Sequence, residues 1–200
     1  MRAKRWLAVL VVVFAGMFSA SVYADDKADA SAFVNNLGKQ ALSVVKGSQS
    51  DQEKESALEK MFQENVDIDW IAKFVVGRNW KAATPEQQQK YLANYKAFLI
   101  AHYTSDFAKF TNANFEVTRV VPDNRGGQTV TMRIKRPQQE DVIAEYTVKK
   151  NDAGQFKVYD IIVEGVSMIT TQRSDFSSAI AQNGFDYLIN QLGERSKTKQ

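Results

Sequence analysis

The sequence predicts an α+β fold: N-terminal helices, a curved four-stranded antiparallel sheet, then C-terminal helices, cone-like, with room for an apolar cavity against the sheet. Three observations lead there. Apolar residues recur at helical spacing up to about residue 110. The period changes to two between Asn114 and Val163. Helical spacing then returns after Glu164-Gly165. Helices segregated to one face of an antiparallel sheet are a standard way to bury both apolar faces.

The first helix is expected over 28–46, where Phe33, Leu37, Ala41, Val44 and Val45 share a face. Ser50 and Glu53 form a capping box for a second helix over 51–64. Asp67 or Asp69 then starts a short helix carrying Trp70, Ile71, Phe74 and Val75, which Gly77 ends. In Thr84-Pro85-Glu86-Gln87, Thr84 caps, Pro85 takes the first helical position and Gln87 completes the box. The long helix that follows is expected to reach about Phe110. Tyr91, Tyr95, Phe98 and His102 lie along one line of it, and Leu92, Leu99, Tyr103, Phe107 and Phe110 along an adjacent one. So broad an apolar face can touch more than one neighbour.

Four strands follow: FEVTRVV, TVTMRIK, DVIAEYTVKK and QFKVYDIIV. Their separators PDNRGG, RPQQE and NDAG are turn chemistry, and such short links imply an antiparallel meander. In the second strand Val130, Met132 and Ile134 alternate with Thr131, Arg133 and Lys135, as on a sheet with one covered and one wet face. Two helices are expected last, over 166–182 and 185–195, parted by Asn183-Gly184.

Residues 1–24 read as a cleaved secretory signal. Arg2, Lys4 and Arg5 precede an apolar run from Leu7 to Phe18, and Val22 and Ala24 fit the small-residue positions before a cleavage point. The apolar run is shorter than the ~20 residues that a bilayer span needs. Residues 25–200 then form a single domain, expected in a bacterial periplasm. Losing Arg2, Lys4 and Arg5 from the 26 lysines and arginines leaves them equal to the 23 acids. A balanced chain with no basic stripe gives no footprint for nucleic acid.

Reactive chemistry is sparse. The chain has no cysteine and one histidine, His102, which excludes thiolate catalysis and the usual zinc ligand sets. His102 lies on the aromatic line of the long helix, where a core or rim role fits better than general-base work. Asp67 and Asp69 do not face each other on a helix start and suit capping. Gly126-Gly127 is a hairpin turn rather than a phosphate cradle. No Ser-His-Asp set is apparent for Ser167 or Ser174. Asp160 is the one carboxylate that could serve as a base in an apolar site, as in an enzyme acting on an apolar substrate. No metal and no cofactor is expected.

The wealth of aromatics on the long helix and apolar residues on one sheet face therefore suits binding an apolar ligand. The candidates for its wall are Val130, Met132, Ile134, Ala144, Tyr146, Ile161, Val163, Phe98 and Tyr103, with Trp70, Phe74 and Val166 closing it. A register slip of one residue would turn the other sheet face inward. Gly165 is expected to permit a close turn from strand into helix.

Two segments carry a resemblance. VEGVSMITTQRSDF after YDII, and GRNWKAATPEQQQKYLANYKAFL at 77–99, resemble the signatures of the MlaC family, the periplasmic phospholipid-binding proteins of the Mla pathway, also called the toluene-tolerance family. Tyr159, Glu164 and Gly165 match the first signature directly. The resemblance implies a soluble carrier of glycerophospholipid. Its expected partners are an outer-membrane lipoprotein–porin complex and an inner-membrane ABC transporter bearing a periplasmic lipid-binding ring. It also implies a part in outer-membrane lipid asymmetry, with no hydrolysis by the carrier itself. The expected state is a monomer.

Overall fold

A computed structural model describes the backbone of residues 19–104 and 112–197, and side chains over 26–102 and 112–197. The elements run α1 Ser19–Lys46, α2 Asp51–Asn65, α3 Ile68–Val76, α4 Arg78–Ala82, α5 Pro85–Thr104, β1 Asn114–Pro122, β2 Gln128–Lys135, β3 Val142–Lys150, β4 Phe156–Val163, β5 Val166–Ser167, α6 Met168–Asn183 and α7 Phe185–Lys197. Residues 1–18 of the expected signal lie outside the described residues, as do Phe107 and Phe110.

Local chemistry sets the helix starts. The Ser50–Glu53 capping box is reciprocal, and Asp67, not Asp69, caps α3 by accepting from the Trp70 N–H at 3.0 Å. Thr84 and Gln87 exchange the equivalent pair of bonds before α5. The α1 helix begins at Ser19, well ahead of residue 28. The short α4, absent from the expectation, forms once Gly77 at φ +55° has ended α3.

The sheet is an antiparallel meander in the order β1-β2-β3-β4-β5. It has one strand more than expected. Val163 pairs with Val166 across Glu164 and Gly165, whose φ values are 48° and 79°. Positive φ at both central residues marks a two-residue hairpin turn. Gly165 thus makes a strand-to-strand corner, and α6 starts only at Met168, capped by Ser167. Because Glu164 leaves the extended conformation, its carboxylate extends the pairing with β3: Oε1 accepts from the Ile143 N–H at 2.8 Å while its own N–H donates to the Ile143 carbonyl. Register shifts at Val117/Arg119 and at Thr147/Val148 mark bulges, which bend and twist the strands concerned.

Two apolar clusters result. One joins α3, α5, α6 and α7 through Ile71, Val75, Tyr91, Tyr95, Leu99, Phe176 and Leu192 among others. The second lays α1 on the sheet through Ala30, Val34, Val130, Met132, Val148 and Val158. The clusters are tied at β4, where the Asp67 N–H donates to the Val158 carbonyl at 3.0 Å.

Candidate lipid-binding cavity

Between the two clusters lies a cavity of about 380 Å³. That is within the ~300–1,000 Å³ typical of ligand sites. The sheet contributes Phe115, Met132, Ile134, Val142, Ala144, Tyr146, Val158, Ile161 and Val163. The opposite wall comes from α1 (Val34, Leu37, Gly38, Ala41, Leu42, Val45), the end of α2 (Met61, Phe62, Asn65), Ile71, Tyr95, Leu99, and Met168, Ile169 and Gln172 of α6.

Sheet register explains which residues face inward. Ile134 pairs with Val142, Met132 with Ala144, and Ala144 with Val163, so one face presents a continuous apolar row. Tyr146 continues it between Val130 and Ile161. Gly38 lets Phe115 approach α1, since a Cβ there would sit 2.7 Å from the ring. Three polar groups of the wall are engaged locally. Asn65 donates to the Met61 carbonyl at 2.7 Å. Gln172 accepts from the Tyr95 hydroxyl at 2.6 Å. Asp160, 4 % exposed, accepts from the Ser167 hydroxyl at 2.6 Å and the Ile169 N–H at 3.3 Å. A carboxylate at those two groups holds the start of α6, where the helix dipole favours negative charge.

Of the residues expected in the wall, Met132, Ile134, Ala144, Tyr146, Ile161 and Val163 line the cavity. Val130 does not: it is fully buried under α1 with Ala30 and Val34. Phe98 is displaced by its neighbours Tyr95 and Leu99 and instead stacks on His102, ring centroids 5.5 Å apart. The Tyr103 side chain lies outside the described residues. Trp70 and Phe74 are i, i+4 neighbours on a stripe of α3 beside the one that Ile71 and Val75 bury. They stack at 4.9 Å, and Trp70 meets the edge of Tyr159 at 5.0 Å. Trp70 and Tyr159 line a second, polar cleft with Arg125 and Lys149. Tyr159 is the extra residue of the β4 bulge, and burial together with the Asp67 carboxylate pushes its phenol up to about 12. Val166, in the two-residue β5 at the edge of the sheet, is 56 % exposed and closes nothing.

The contributions of α1 and α2 were missed by sequence reasoning. Their apolar faces are legible as faces, but spacing does not say that one of them looks onto a void.

A family model described as MlaC protein matches residues 35–194. The chain belongs to the MlaC family. It is 28% identical over 148 residues to the toluene tolerance protein ttg2D of Pseudomonas putida, spanning 72% of this chain and 68% of that one. It is 23% identical over 133 residues to the intermembrane phospholipid transport system binding protein MlaC of Haemophilus influenzae, spanning 64% of this chain and 61% of that one. Among solved structures it resembles the phospholipid-binding protein from Ralstonia solanacearum in complex with a phospholipid, with a TM-score of 0.74, 25% identity, and coverage of 85% of this chain and 98% of that one. Among the described residues of this MlaC-family chain no helix is long and apolar enough to cross a membrane, and no group of acids and histidine could hold a metal ion.

Proposed function

We propose that the chain is a periplasmic phospholipid carrier that holds acyl chains in the cavity between its two apolar clusters. The observation that carries this reading is a wall of aliphatic and aromatic side chains whose polar members Asn65, Asp160 and Gln172 are turned to partners within the protein. Such a lining takes up hydrocarbon and offers no convergent reactive groups to transform it. The energetics require a dry container. Burying a methylene is worth ~0.8 kcal/mol, so two chains of some 15 methylenes gain on the order of 20 kcal/mol by avoiding water. A carrier that matches this makes transfer between membrane and protein near neutral. Differential contacts at each membrane can then drive the lipid either way. The head group stays in water.

In this reading the carrier exchanges glycerophospholipid with an outer-membrane lipoprotein–porin complex and with an inner-membrane ABC transporter bearing a lipid-binding ring. It works as a monomer, performs no chemistry and maintains outer-membrane lipid asymmetry. The membership of the MlaC family and the phospholipid bound by the Ralstonia protein support it. The engagement of both Asp160 oxygens in the start of α6 argues against an enzyme built on that carboxylate.

Native mass spectrometry of the purified chain is the test. Diacyl phospholipid should co-purify, and Ala144→Phe, which puts a ring into the middle of the cavity, should lower occupancy several-fold while the chain stays folded. A wild-type chain that carries no lipid and takes up none from vesicles would overturn the proposal.

A further inference from the structure

One hydroxyl in the cavity has no hydrogen-bond partner among the described residues. Tyr91 donates to the Ala72 carbonyl at 2.8 Å, Tyr95 to Gln172 at 2.6 Å, and Tyr159 is hydrogen-bonded to Asp67. Tyr146 lines the cavity from β3, between Val130 and Ile161, and its phenol makes no hydrogen bond to any described residue. Tyr146 is half-buried, so its hydroxyl is open to a ligand that enters the cavity, and a phenol that a ligand takes out of water needs an acceptor. Its partners in the sheet are aliphatic, Val130 on β2 and Ile161 on β4, with Ala144 two residues before it on the same face. Burial also pushes the phenol above its ordinary range, so it remains protonated and a donor.

We propose that Tyr146 is a specificity-determining residue whose phenol donates a hydrogen bond to an ester carbonyl oxygen of the bound lipid. This rests on the carrier reading. A neutral donor inside an apolar cavity suits a neutral acceptor. A phosphate there would carry its charge out of water at far greater cost. The ester carbonyl is the neutral acceptor that an acyl lipid attaches directly to its chains. An ether-linked lipid of equal chain length lacks that carbonyl and offers the phenol only an ether oxygen inside the chain, which stands at a different position. A site built around a hydrogen bond discriminates against an analogue that cannot make it.

The experiment loads the full chain from vesicles holding equal amounts of diacyl and dialkyl phosphatidylglycerol with the same chain lengths, one of them deuterated. Native mass spectrometry then reads the ratio bound. Wild type should favour the ester lipid roughly five- to tenfold, the yield of one neutral hydrogen bond. Tyr146→Phe, which removes only the hydroxyl, should bind both lipids in equal amounts. A wild-type ratio near one, or a Tyr146→Phe ratio equal to the wild-type one, overturns the proposal and leaves the carrier reading intact. Failure of wild type to load either lipid overturns both. Because the wild-type ratio can refute the proposal without any variant, a poorly folding Tyr146→Phe would not rescue it.

Discussion

The helical cluster and the sheet cluster are both apolar and both well buried, yet only one is packed to its centre. Around Tyr91, Tyr95 and Leu192 the helices α5, α6 and α7 close on one another. Tyr91 stacks on Tyr95 at 5.6 Å, and Tyr95 meets Phe176 edge-on at 6.0 Å. On the sheet, α1 covers Val130 and Val148 completely, but Met132, Ile134 and Ala144 look into open space shared with Leu99 and Ile169. A cavity therefore needs no shortage of apolar residues. It needs two cores, each assembled on its own frame and pinned together at a few points. Here the pins are at β4: the backbone bond from Asp67 to Val158, and Asp160 gripping the start of α6.

The largest effect should come from the closed side. Leu192, 1 % exposed, has neighbours all around it, so Leu192→Ala should cost about 3 kcal/mol. Met132, 3 % exposed, borders the cavity, and atoms facing a void have already forfeited contacts on that side. Met132→Ala on lipid-free protein should therefore cost about 1–2 kcal/mol by the same reasoning. Urea midpoints at unchanged slope measure both. Equal losses would mean that the sheet side is as tightly packed as the helical one.

A smaller effect tests the pins. Asp160→Ala leaves the Ile169 N–H without its side-chain acceptor and the Ser167 hydroxyl with only Thr170 Oγ1 at 2.9 Å, at a cost of about 2 kcal/mol. Lipid occupancy should survive below the lowered melting temperature. Full stability with occupancy abolished would instead place Asp160 in contact with the ligand.

Much of this division was legible in the sequence. The switch from helical to twofold spacing located the sheet, and its clean alternation gave the inward face from Met132 to Val163 correctly. Three things were not legible, each for a physical reason. A broad apolar helix face does not say which of its lines meets which neighbour, so Phe98 was expected where Tyr95 and Leu99 stand. A bulge leaves no mark in an apolar run, so the extra residue Tyr159 and its company with Trp70 did not show. The hairpin at Glu164-Gly165 needs a non-glycine residue at positive φ, which sequence preference argues against. That hid β5 and put Val166 on the wrong side of the corner.

The gentlest probe acts at the bulge itself, where the sheet touches α3. Burial and the Asp67 carboxylate hold the Tyr159 phenol neutral up to about 12, against an ordinary value near 10. The unfolded chain therefore releases this proton first as pH rises. Stability from this group is fully present below about pH 10 and drains away between pH 10 and 12. Tyr91 and Tyr146 are shifted the same way by burial, so the raw alkaline loss does not belong to Tyr159 alone. Tyr159→Phe removes its share and leaves theirs. Urea midpoints from pH 8 upward should fall more steeply for wild type than for Tyr159→Phe, with the curves diverging only above about pH 10. Parallel curves would mean that Asp67 and Trp70 do not shield the phenol, and that the contact of α3 with the bulge is looser than the backbone bond beside it.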